Sequence, residues 1–138
     1  MSQMISHHHA LIYVMVTMSA VDRSMDEIET HRIGQIVQTL PVFADFNEDE
    51  VVHAARNCAA ILQEDEGLDT ILAMVADALP QKLYETAYAL AVDVAAANLT
   101  VEQEELRFLQ MLRDRFDLDK LVVAAIERSA RARFRKPQ

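Results

Sequence analysis

The sequence predicts an all-α fold, a single compact bundle of about seven short helices. Apolar residues recur at helical spacing along nearly all of the 138 residues, and a 51% hydrophobic content is enough to form a core. With only two glycines and three prolines, the chain has too few turn residues for a sheet of many short strands. This length suits one domain, which we expect to span residues 1–138, with an extension at 1–7 and a basic tail at 128–138.

The first two predicted helices frame the first polar segment of the chain. The run from Ala10 to Ala20 is apolar but too short to cross a bilayer, and with its flanking residues it predicts a helix over 8–21. Spaced apolar residues then predict a helix over 25–40, which ends before Pro41.

The later helices follow from capping residues and from glycine and proline. Asn47 is an N-cap candidate, Gly67 separates the third helix from the fourth, and Pro80 fits the first turn of the fifth. Asp119 is the N-cap candidate of the last helix. The predicted ranges are 47–64, 81–97, 100–116 and 119–134, with the fourth helix following Gly67 and ending at Leu79.

Charge is distributed unevenly along the chain. The formal net charge is −9, yet residues 1–127 hold eight basic and all 22 acidic residues and so carry −14. The tail holds five basic residues and no acid: Arg128, Arg131, Arg133, Arg135 and Lys136. Since so acidic a body repels phosphates, we expect no nucleic-acid partner. The tail is expected to complement its own helix end or the acidic body; an alternative is that it binds an anionic surface.

A short internal repeat is the most informative motif. The pattern A-x-[DN]-x-[ST]-φ-x-x-x-E occurs at residues 20–29 and again at 96–105, each time between two apolar helices. Each copy contains a predicted capping box, Ser24 with Glu27 and Thr100 with Gln103. Capping therefore accounts for four of the repeated positions.

The last residue of each copy, Glu29 and Glu105, needs another explanation. At helical spacing each glutamate points into the middle of an apolar face, where a carboxylate is costly unless something binds it. Three partners remain open: amides and hydroxyls of the motif loops, a basic side chain, or a divalent cation such as calcium, magnesium or manganese. The tentative cation ligands are Asp22, Glu29, Asp93, Asn98 and Glu105. An EF-hand is excluded, since Ile33 stands where its closing glutamate would be.

The doubled motif resembles that of TerB-like tellurite-resistance domains, and it is similar to the central region of the membrane-anchored DnaJ-type co-chaperone DjlA. The matching residues are Ala20, Asp22 and Glu29 in the first half and Ala97, Asn98 and Glu105 in the second. Arg23 and Leu99 replace the glycine usual in the family. The resemblance covers roughly residues 8–128. It implies an all-helical fold with a pseudo-two-fold repeat, an acidic cation-binding surface and an association with stress responses through protein partners, without enzymatic activity.

Other candidate sites have simpler explanations. His7, His8 and His9 point in different directions on a helix, and His8 is expected to be the buried one. Glu50 and His53 have the E-x-x-H spacing of di-iron sites, but no second such motif exists and His53 points away from the apolar face. Cys58 lies on an apolar face, where a thiol is inert.

These observations together predict a cytoplasmic, non-enzymatic, TerB-like interaction domain. Its partners are expected to be other proteins, with a second copy of the chain among the candidates. The alternative is a metal-dependent hydrolase or oxidase of the helical-bundle type.

Overall fold

Seven α-helices and two single 3-10 turns make up the described part of the computed structural model, which covers residues 5–20, 27–97 and 102–137, without the side chains of residues 27 and 28. The helices are α1 (His7–Ala20), α2 (Glu27–Thr39), α3 (Glu50–Leu62), α4 (Gly67–Ala78), α5 (Tyr84–Ala97), α6 (Gln103–Phe116) and α7 (Lys120–Arg133). The 3-10 turns are Pro41–Phe43 and Gln81–Leu83. No strand occurs in these ranges, so the all-α prediction is confirmed.

Helix α1 lies at the centre of the bundle. Every residue from Ala10 to Ser19 is buried, and α1 packs against α2, α3, α4, α5 and α6. A helix that is apolar on all sides is stable only when it is covered on all sides. The α1 sequence therefore places this helix in the core.

Helix α5 is the second central element. It packs against α1, α6 and α7, and the side chains of Ala87, Tyr88 and Ala91 are completely buried. Because alanines predominate along α5, neighbouring helices can approach its backbone closely. The two motif segments follow directly after α1 and α5, so each segment leads from a central helix to a peripheral one.

Several helices begin later than the sequence suggests. Asn47 does not cap α3; its side-chain oxygen accepts the N–H of Asp49 at 3.0 Å within a turn, and the helix begins at Glu50. After Pro80, the chain first forms the 3-10 turn Gln81–Leu83, and α5 begins at Tyr84. Asp119 is the N-cap residue of α7, as expected.

The corner between α3 and α4 depends on Gly67, which is the first residue of α4. A Cβ atom at this position would lie 2.2 Å from the carbonyl oxygen of Ile61. No larger residue fits there unless the backbone moves, so this glycine permits the close approach of the two helices.

Candidate functional site

The two motif glutamates lie at matching positions in α2 and α6. Glu29 and Glu105 are each the third described residue of their helix, and only 5% and 3% of their surfaces are exposed. They are the only buried acidic residues in the described ranges. The prediction that both carboxylates point into the interior is therefore confirmed, and each takes part in interactions with neighbouring groups.

The geometry of Glu105 shows one of these interactions. Its Oε1 atom accepts the backbone N–H of Glu102 at 2.9 Å. Glu102 has extended backbone angles and is the N-cap residue of α6, so Glu105 occupies the N3 position of a capping box. The buried carboxylate thus satisfies an amide that the helix itself leaves unpaired.

This arrangement corrects the predicted capping box of Thr100 with Gln103. The N-cap of α6 is Glu102, and Gln103 is the first helical residue, so Gln103 does not occupy the N3 position that a capping box requires. The acid-x-x-Glu spacing of Glu102 and Glu105 was present in the sequence and could have identified the cap. Asp26 and Glu29 have the same spacing in the first copy.

Much of the predicted cation site lies outside the described residues. This applies to Asp22 and Asn98, to the capping candidates Ser24 and Thr100, and to the side chain of Glu27. Across the ranges that the structure describes, no three His, Cys, Asp or Glu side chains come together as metal ligands. The cation site therefore stays a prediction.

Asp93, another tentative ligand, has a different partner. Its Oδ1 atom accepts Nη2 of Arg133 at 2.7 Å, which ties the C-terminal end of α7 to α5. Arg133 belongs to the basic tail, so this contact supports the expectation that the tail lies against the acidic body. The other four basic residues of the tail are exposed.

The remaining residues singled out in the sequence lie mostly where their patterns predict. Cys58 is completely buried, and burial raises the pKa of its thiol to about 12. His53 is exposed, as expected. Glu50 is half-exposed and lies 3.8 Å from Nε2 of His9. His8 is only partly buried; its Nε2 lies 2.9 Å from the carbonyl oxygen of Val42.

A polar cluster that the sequence analysis missed joins α5, α6 and α7. The hydroxyl of Tyr88 donates to Oε2 of Glu127 at 2.5 Å and accepts from Nη1 of Arg113 at 2.9 Å. Arg113 and Glu127 also lie 3.5 Å apart as an ion pair. Burial of the phenol and its bond to Glu127 raise the pKa of Tyr88 to about 12, although Arg113 opposes the rise. No sequence pattern links three residues so far apart in the chain.

Comparison of the chain with models of protein families, with curated proteins and with solved structures gave no match. None of the helices in the described ranges is long and apolar enough to cross a membrane.

Proposed function

We propose that this chain is a non-enzymatic, TerB-like interaction domain in which each of the two loop-helix motifs holds a buried carboxylate. The observation that carries the proposal is the equivalent burial of Glu29 and Glu105 at the beginnings of α2 and α6. The family's association with stress responses, including tellurite resistance, comes from the resemblance of the motifs. A cytoplasmic location also remains a prediction.

The buried carboxylates support a structural role first. A buried acid is costly unless it is hydrogen-bonded, and Glu105 accepts the amide of Glu102 at the start of its own helix. The matching position of Glu29 favours the same role in the first half. In this role each glutamate stabilises the beginning of its own helix, α2 or α6, which follows a central helix in the chain.

Cation binding is the second part of the proposal. Carboxylate and amide oxygens suit calcium, magnesium and manganese, and Asp22 with Glu29 supplies two carboxylates in the first copy. In the second copy, Asn98 replaces the acid, and Asp93 pairs with Arg133. The first copy is therefore the stronger candidate for a cation.

Two other functions receive less support. A metal-dependent hydrolase or oxidase would need Glu50 and His53 to face the interior, and both are exposed on α3. An anionic surface would have to compete with Asp93 for Arg133.

The test combines metal analysis of the purified chain with thermal unfolding in calcium, magnesium or manganese. A cation at about 100 times its Kd stabilises the folded state by about 2.7 kcal/mol, so the melting temperature should rise measurably. The rise should disappear in Glu29→Gln and persist in Glu104→Gln, which changes an exposed glutamate of α6. Absence of bound metal and of any shift would refute cation binding and leave the structural role.

A further inference from the structure

A groove runs between α6 and α7. Both helices pack against α5 and make few contacts with each other, and α5 contributes Val92, Ala95 and Ala96 to one end of the groove. Arg113 of α6 forms an ion pair with Glu127 of α7. Two hollows of about 420 Å³ and 320 Å³ lie along these helices, and Glu127 lines both. The larger hollow is lined by charges of both signs, among them Asp114, Asp117 and Lys120.

The smaller hollow is apolar. Six of its eight lining residues are hydrophobic: Val92, Ala95, Ala96, Leu106, Leu109 and Ala130. Leu106 stands at its edge with 50% of its surface exposed. Most of the other apolar lining residues are buried and form the base of the hollow. An exposed apolar side chain beside an apolar concave surface is typical of binding sites. The volume of the hollow suits apolar side chains from one face of a helix, which is a common mode of peptide recognition.

The rim of this hollow carries unpaired positive charge. Its one acid, Glu127, is already paired with Arg113, whereas Arg131 makes no ion pair with another described residue. Arg128 lies one turn before Arg131, is likewise exposed, and no acid follows Glu127 in the chain. Two copies of α7 placed face to face would bring these arginines together, so charge disfavours a second copy and favours an acidic partner.

We propose that the apolar hollow between α6 and α7 binds an acidic amphipathic helix of another protein. Apolar side chains of that helix enter the hollow beside Leu106, and its carboxylates pair with Arg128 and Arg131. This inference deepens the proposed function and rests on it, because it names the surface and the partner chemistry of an interaction domain.

The test uses two synthetic peptides of about 15 residues, long enough for a short helix. Both carry leucine at i, i+3, i+4 and i+7 spacing; one has glutamate at the remaining positions and the other has lysine. Residues 1–127 carry −14, so long-range electrostatics favour the lysine peptide. A preference for the glutamate peptide can therefore arise only from the local basic rim. We expect that peptide to bind at least about tenfold more tightly, as measured by fluorescence anisotropy.

Matched variants locate the binding surface. Leu106→Glu should weaken binding of the glutamate peptide about tenfold, whereas Val52→Glu, at an equally exposed position on α3, should leave it unchanged. Arg131→Glu should weaken binding about fivefold, and Arg56→Glu on exposed α3 surface should not.

Equal binding of the two peptides would overturn the inference, as would equal effects of Leu106→Glu and Val52→Glu. Self-association of the chain that Leu106→Glu abolishes would assign the hollow to a second copy instead.

Repeating the titrations with EDTA and with Glu29→Gln distinguishes this proposal from that of cation binding. Peptide binding without any cation effect supports helix binding in the apolar hollow and refutes cation binding. A cation effect without peptide binding supports cation binding and refutes helix binding in the hollow.

Discussion

Replacing Glu105 by alanine should destabilise the fold by about 1–2 kcal/mol. The substitution removes the acceptor of the Glu102 N–H, and loss of such a cap costs about 1 kcal/mol. It also empties a site that is only 3% exposed, and each buried methylene contributes about 0.8 kcal/mol. The alanine variant also avoids the desolvation cost of a buried carboxylate, which offsets part of this loss. For a chain of this length, the melting temperature should fall by roughly 3–7 °C.

Glu105→Gln distinguishes the geometric role from the charge. The amide oxygen of glutamine can accept the same N–H in a capping box, so this variant should lie within about 0.5 kcal/mol of the parent chain. Glu104→Ala, at the exposed neighbouring position, should be equally mild. The measurement is urea unfolding followed by circular dichroism, with midpoint and slope compared. If glutamine costs as much as alanine, capping does not explain the buried carboxylate, and its negative charge must neutralise a cation or a basic group.

Three further predictions concern the rest of the fold. Gly67→Ala should destabilise the chain by about 1–3 kcal/mol, because the new Cβ atom would collide with the carbonyl oxygen of Ile61. Gly34→Ala should instead stabilise α2 by about 0.5–1 kcal/mol, because there is open space around its Cβ atom. Urea unfolding measures both changes. Tyr88 should ionise near pH 12. Because its pKa is raised above the ordinary value of 10, the stability that the neutral phenol contributes is present below pH 10 and is lost as the pH rises towards 12. The absorbance of phenolate in the parent chain, compared with that in Tyr88→Phe, tests this. Cys58 should react with a thiol reagent at pH 8 only as fast as the fold opens, because its thiol is buried and has a pKa of about 12. A reaction rate equal to that of the denatured chain would contradict this prediction.

The sequence predicted well those features that repeat along a helix. The apolar faces that were predicted to carry Cys58 in α3 and Glu105 in α6 are buried, together with Val51 in the first and Leu109 and Leu112 in the second. A periodic face is specified by many residues at once, so one misplaced position does not change the result. The same redundancy located the inward carboxylates, because each stands out against an apolar face.

Helix starts and the polar cluster were harder to predict for physical reasons. Several polar residues compete as N-caps before α3 and α6, and differences of about 1 kcal/mol decide between them. Tyr88 meets residues of two other helices, and a contact between such distant positions depends on how the helices pack. The spacing of residues in the sequence does not show how the helices pack.

The central position of α1 constrains the order in which the chain can acquire its structure during synthesis. Its apolar surface is covered partly by α5, which begins only at Tyr84, so the ribosome must synthesise α5 before this surface has its final neighbours. Until then, part of this apolar surface, which includes tyrosine, methionine and valine side chains, lacks its native cover, a condition that favours aggregation. Pairing of α1 with α5 closes a long loop, a slow step in folding. We therefore expect the nascent chain to remain sensitive to proteolysis until α5 has left the exit tunnel.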